Sequence, residues 1–485
     1  MAGAAQTFYW PCPDGGINVD RLYGRGELNE CRFMENWIPH RGYLALRNGL
    51  VDWTTDVPDS HSWLHTYYGA SGAQVVCCSD SKIYRAENGH ALADLTGTTT
   101  PTSHAWIAAQ IGTTMVLVNG ADTPQQYNGT TVSDASYTGS GLTPANLKAV
   151  CLYRDRLYFV GANFDLWYGG SAAITGALTK VDLSSVFQRS GSLFAIGTWS
   201  TDDGGGLDDR LVLMSDQGEA VIYTGSYPGA DEWCRMATYI LPPPRAKRCF
   251  YNYGGELYYI GIGSLVPFSS LLVNATFTNL TAKLGDISTT ENSNMIVDRS
   301  REFLYLNCGD AYVYVRNLET GAWGCFSPSP IAANDFSLAL GDDGEIVLAS
   351  SYNNFTNYRV SCFGGYSGTD HGTAFLATIY SGVSILGRDY ERRKVTLAKT
   401  WFRLAGPITL YLDVRPDWRG SGALGHKHLT SANVDAGVID FCSATFAPST
   451  IGHMFDLYIA VNGAAYSDGN YYLGTMAQHV EAGPL

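Results

Sequence analysis

Residues Ala149 to Gly170, AVCLYRDRLYFVGANFDLWYGG, decide the fold. Alternating β-branched and aromatic residues run into a polar Arg-Asp turn, and a second alternating run leads on to Tyr and a pair of glycines. This is the reading of an antiparallel hairpin. The same order returns in VVCCSDSKIYRAENG (Val75 to Gly89), TMVLVNGADTPQQYNG (Thr114 to Gly129), RLVLMSDQGEAVIYTGS (Arg210 to Ser226), CFYNYGGELYYIGIGS (Cys249 to Ser264), EFLYLNCGDAYVYVRNLETGAWGCF (Glu302 to Phe326) and EIVLASSYNNFTNYRV (Glu345 to Val360). Asp-Gln-Gly at 216–218, Gly-Gly at 254–255 and Asp-Asp-Gly at 342–344 supply the positive φ that tight hairpin loops demand. In ELYYIGI and AYVYVRN the period of two fits a sheet packed on both sides by neighbouring sheets. Successive hairpins lie roughly 36 to 60 residues apart, which brackets the ~40 to 50 of one propeller blade. The reading is a β-propeller of six or seven irregular blades. Stacked sandwiches would give short strands too, but not their recurrence at blade intervals.

The whole composition agrees. Of 485 residues 45% are hydrophobic and 16% charged, which excludes disorder and allows two or three domains. Aromatics reach 13%, Gly numbers 54, and helix-forming blocks are nearly absent, as in an all-β chain. A net charge of −14 argues against a protein that grips a phosphate backbone, since that affinity comes from Lys and Arg. No run approaches the ~20 apolar residues of a membrane helix, and MAGAAQTFYWPCPDGG lacks an export pattern, so neither membrane insertion nor export is expected. Cys77, Cys78, Cys151, Cys249 and Cys308 sit in apolar strand patterns and read as buried thiols of a chain assembled in a reducing cytoplasm.

The ends differ from the middle. Residues 1–58 are turn-rich, 59–370 hold the propeller, and 371–485 carry longer strands (TAFLATIYSGV, RRKVTLAKTWFRL, ITLYLDVRP, VIDFC, MFDLYIAV) that read as a β-sandwich.

Chemistry-bearing patterns are few. There is no G-x-x-x-x-G-K-[ST], H-E-x-x-H, G-x-S-x-G or paired C-x-x-C, so no catalytic, cofactor or metal residue is assigned. SDQGEAVIY (Ser215 to Tyr223) is similar to the Asp-containing turn of sialidase blades, itself structural. Asp202, Asp203, Asp208 and Asp209 bunch around three glycines and read as a mobile acidic loop rather than a calcium loop, whose spacing they lack. His426 and His428 in GHKH do not close a zinc site by themselves. Two basic clusters stand against the acidic background: Arg388, Arg392, Arg393, Lys394, Lys399 and Arg403, and Arg245, Lys247 and Arg248 after three prolines. Each is a solvated strand face, an ion-paired subunit or partner interface, or a nucleic-acid grip. In an unbulged strand Arg392, Lys394, Thr396, Ala398 and Thr400 would share one side, and Arg393, Val395, Leu397, Lys399 and Trp401 the other.

Three places resemble the tail nozzle, or packaged-DNA stabilisation, proteins of short-tailed bacteriophages. ENWIPHRGYLALRNG puts Glu35, Asn36, Gly42, Leu44, Arg47 and Gly49 in register with an N-terminal pattern of that family. LYRDRLYFVGANFDLWYGG and RLVLMSDQGEAVIYTGS look like its blade strands, and RRKVTLAKTWFRLAGPITLYLDV with GHMFDLYIAVNG like its C-terminal β domain. Gly- and His-rich sequence at 416–450 departs from the pattern, standing where the family would have strand and turn. The resemblance implies a non-enzymatic homohexamer of the virion tail with no cofactor. Each subunit would carry a propeller and a sandwich-like platform built from N- and C-terminal segments, set beneath a tail adaptor ring and near fibres or spikes. Double-stranded DNA would be retained behind closed tip loops and later pass without tight binding. An acidic wall suits such a conduit, because it repels the polymer over about a Debye length. A carbohydrate-active propeller enzyme and a receptor-binding tail protein are the rival readings.

Overall fold

A computed structural model describes residues 5–19, 27–58, 62–70, 72–202, 207–274, 276–309, 312–327, 337–341, 344–352, 357–365, 368–384, 392–404, 409–417, 427–430, 440–446, 450–452, 454–462 and 471–481. The chain is an all-β protein: a β-propeller joined to a β-sandwich. Seven antiparallel meanders follow one another, opening with Ser62–Gly69, Ile107–Ile111, Ala149–Tyr153, Leu193–Asp202, Phe250–Tyr253, Asn294–Asp298 and Ser337–Leu340. These first strands line a common axial channel and touch in sequence around it. Between the first two blades the Gln110 amide closes the ring, accepting from Tyr68 N at 2.9 Å and donating to Tyr68 O at 2.6 Å.

Separate apolar cores fill the gaps between blades, which is why the strands are apolar on both faces. One holds Tyr67, Trp106 and Tyr127 between blades one and two, and another Leu50, Phe303 and Phe363 between six and seven. The fifth blade has three strands, and after Ser264–Pro267 the chain enters the short helix Ser269–Asn274.

The seventh blade is completed from the other end of the chain. Gly49–Asp52 pairs antiparallel with Asn357–Gly365 as its fourth strand, so a segment from the first 58 residues latches the ring. Leu50 is fully buried at that latch.

N- and C-terminal strands interleave in two further sheets. In the first, Tyr471–Glu481 lies between Arg393–Leu404 on one side and Gln6–Pro11 and Tyr43–Leu46 on the other. In the second, Glu30–Glu35, Leu376–Ser381, Phe455–Asn462 and Thr409–Pro416 pair in that order. Trp37, Leu44, Phe402 and Tyr472 from one sheet and Met34, Ile379, Leu412 and Ile459 from the other share a core. Glu35 also pairs with Cys325, which makes the second sheet continuous with the sixth blade. Among the described residues no helix is long and apolar enough to cross a membrane.

Candidate functional site

The residues of ENWIPHRGYLALRNG converge on the junction between propeller and sandwich. Gly42, at φ 84°, turns the hairpin that returns the chain from Trp37–His40 to Tyr43–Leu46. That turn brings Arg47 back to Asn36, which itself adopts φ 62°, a left-handed conformation that Asn tolerates. Arg47 donates from Nε to Asn36 Oδ1 at 2.7 Å. Its Nη1 and Nη2 donate to the two oxygens of Asp370 at 2.8 and 2.6 Å, a bidentate pair with both side chains fully buried. The guanidinium lies 3.9 Å from the Phe375 ring centroid. Asn36 donates to Leu376 O and accepts from Ser327 N, while Glu35 accepts from the hydroxyls of Ser327 and Thr378. Asp370 Oδ1 also accepts from Leu50 N at 2.9 Å, so one carboxylate holds both the junction and the latch strand. Asp370 carried no signal in the sequence beyond standing in a Gly/Ser/Thr-rich linker.

His371 sits against the latch: its Nδ1 is 3.2 Å from Asp52 Oδ1, its Nε2 is 3.2 Å from Ser361 Oγ, and its N–H donates to Leu50 O. Burial pushes its pKa below the ordinary value, and the opposing pull of Asp52 does not restore it. The folded state therefore holds the neutral ring while the unfolded chain takes up a proton near pH 6.5, so this contribution to stability is full above that pH and fades as pH falls. Burial holds His40, His65 and His479 low in the same way. The urea midpoint is expected to fall between pH 7.5 and 5.5, and to fall less in His371→Asn, which keeps the positive φ of 48° accessible. An unchanged pH slope in that variant would contradict the assignment.

The basic strand behaves differently from its unbulged reading. Arg393–Leu404 carries register shifts against its neighbour between Val395 and Leu397 and between Trp401 and Phe402. The first inserts a residue and reverses the alternation. Arg393, Val395, Ala398, Thr400 and Phe402 are buried toward the sandwich core, whereas Arg392, Lys394, Leu397, Lys399, Trp401 and Arg403 are half-buried on the outer side. More of the charge thus shares one face than simple alternation allows, and Arg393 leaves the group. Lys399 Nζ stands 5.7 Å from the Trp401 ring centroid, and Tyr9, 60% exposed, occupies the same cross-strand row as Lys399. Arg388 lies outside the described residues.

The outer face of the second sheet is aromatic. Phe33, Tyr380, Tyr458 and Asp413 stand directly opposite one another across four strands. Arg415 lies 4.7 Å from the Tyr380 centroid and pairs with Asp456, to which Arg32 also reaches at 3.2 Å.

Elsewhere the expectations divide. The acidic cluster is not a plain loop: Thr201 pairs with Asp208 and Asp202 with Leu207, so the hairpin ladder continues through Asp202, Asp208 and Asp209. Asp209 Oδ1 accepts from Ser200 Oγ at 2.5 Å. Asp203 lies outside the described residues, as does His426, while His428 pairs with Tyr411 in a strand. No group of three His, Cys, Asp or Glu suited to a metal occurs among the described residues. Asp216 of SDQG is structural, its carboxylate accepting from the N–H and hydroxyl of Ser192. Cys77, Cys78, Cys249 and Cys308 are buried, but Cys151 is half-exposed because its strand lines the axial channel. Lys247 and Arg248 line that channel too, rather than a solvated outer face, because they lead into the inner strand of blade five.

No family model and no curated protein matches the chain. Among solved structures, one described as "YCF48 bound to D1 peptide" resembles it with a TM-score of 0.41 and 8% sequence identity, over 67% of this chain and 96% of that one.

Proposed function

We propose that this chain is the subunit of a homohexameric tail nozzle that retains packaged DNA in a virion and later lets it pass. The observation that carries the reading is the concentration of the family-like residues Glu35, Asn36, Gly42, Leu44, Arg47 and Gly49 at the junction that ties platform to propeller. A ring of identical subunits needs two unlike surfaces on each copy, one meeting the other on the next. The two outer faces of the sandwich answer to that: one basic with Trp401 and Tyr9, the other a row of Phe33, Tyr380 and Tyr458 beside Arg415. Tyr, Trp and Arg are the residues enriched where interfaces bind most strongly.

The conduit then runs between subunits, not down a propeller axis. The axial cavity encloses about 500 Å³ within one chain, far too little for a duplex whose major groove alone is about 12 Å wide. An excess of 45 acidic over 31 basic side chains leaves the assembled wall repulsive to DNA. The platform faces the adaptor ring, and gating belongs to loop closure rather than bond chemistry. Light scattering on the purified chain is expected to give a species of six times 52.6 kDa that disperses as salt rises. A single-chain mass at every concentration and ionic strength, joined to hydrolysis of a polysaccharide, overturns the reading.

A further inference from the structure

The propeller axis is cationic in an acidic protein. The described residues lining the channel include Lys247, Arg248 and Arg299 and no Asp or Glu, in a chain whose net charge is −14. Lys247 also lines an adjoining hollow of about 360 Å³ at one mouth, with Lys148, Asn119, Asn146, Asn163 and Ser192, again with no carboxylate. Two ammoniums, a guanidinium and several amides therefore converge on one end of the axis.

Arg248 and Lys247 are held in place by neutral partners. Arg248 donates from Nη1 to Ser337 Oγ at 2.7 Å and, with the Asn294 amide turned to suit its neighbours, to Asn294 Oδ1 at 3.2 Å. Its guanidinium stacks 4.0 Å from the Trp63 centroid, and its Nε has no acceptor. Lys247 Nζ donates to Asn119 O at 2.8 Å. Glu291, the carboxylate that acts on Lys247, sits in a separate hollow with Arg245 and Thr290. Burial pushes Arg248 down to about 9, and burial together with the charge of Lys148 lowers Lys247. Cations gathered this way are costly to keep without a counter-charge, and a fixed guanidinium beside two ammoniums is the donor set that oxyanions seek.

We propose that this end of the propeller axis binds a small, multiply charged phosphate-class anion at Lys148, Lys247 and Arg248. The combined space suits ligands from pyrophosphate to a phosphorylated metabolite. The site lies within one chain and does not depend on ring assembly.

Calorimetric titration of the purified chain with sodium pyrophosphate, against sodium chloride at matched ionic strength, tests it. One saturable site per chain is expected. Lys148→Met and Lys247→Met should each weaken it about tenfold or more, which is about 1.4 kcal/mol. Arg248→Lys keeps the charge but loses the fork and should also weaken binding, with an unchanged circular dichroism spectrum as the check on folding. Lys394→Glu, on the sandwich, should leave binding intact. Absence of saturable binding, parent affinity retained in both lysine variants, or tighter binding of citrate than of pyrophosphate overturns the proposal.

Discussion

Asp370→Asn is expected to cost about 3–5 kcal/mol of stability, among the largest effects of any single substitution in the chain. The change is nearly isosteric, so packing is kept and the loss is electrostatic. Arg47 is fully buried and would keep Asn36 Oδ1, the backbone oxygens of Asn48 and Ser327, the single amide oxygen left at position 370 and the Phe375 face, but no counter-charge and no bidentate partner. An uncompensated guanidinium in that setting is severely unfavourable. Arg47→Lys should also destabilise, because one ammonium cannot reproduce the bidentate pairing. Arg47→Met combined with Asp370→Leu should recover most of the loss, since apolar replacement of a whole buried pair is often tolerated. It should not recover all, because Leu50 N then lacks its acceptor, worth about 1–3 kcal/mol. Urea denaturation of the four proteins measures this, and a loss under 1 kcal/mol in Asp370→Asn would refute the junction's role.

The second large effect concerns assembly. Lys394→Glu, Lys399→Glu and Arg403→Glu together place three negative charges on one face of the first sandwich sheet, a change of six charge units. If that face meets the next subunit, each reversal at a desolvated contact costs about 2–5 kcal/mol of association, and the hexamer should dissociate to single chains. The fold should survive, because all three side chains are half-exposed and sit outside the sandwich core. Light scattering reads the mass, and the urea midpoint reads the fold. A triple variant that keeps the parent's mass would remove this face from the interface.

The blades were legible because their signal is local. Period-two alternation, a Gly-bearing turn and a following strand lie within about 20 residues, and the burial of both strand faces follows from the apolar runs. The latch was not. Gly49–Asp52 is four residues long, and its partners lie some 300 positions away, as in the Leu50 to Asp370 bond with a separation of 320. No local pattern encodes such a pairing. The bulge near Thr396 was equally silent, since nothing in KVTLAK marks an extra residue, yet it decides which charges share a face. Arg248 misled for another reason. A charged residue after prolines ordinarily lies in water, and only closure of the ring turns its strand inward. For Arg47 the family-like pattern gave the position, while the partner that makes it structural, Asp370, emerges only in three dimensions.

Projection imaging of the assembled chain tests the central claim most directly, because symmetry and bore are read together. The account predicts closed rings of six wheel-shaped subunits around an axial opening wide enough for duplex DNA, with the propellers set off the axis. Isolated wheels, trimers, or rings whose opening is too narrow for a duplex would contradict it.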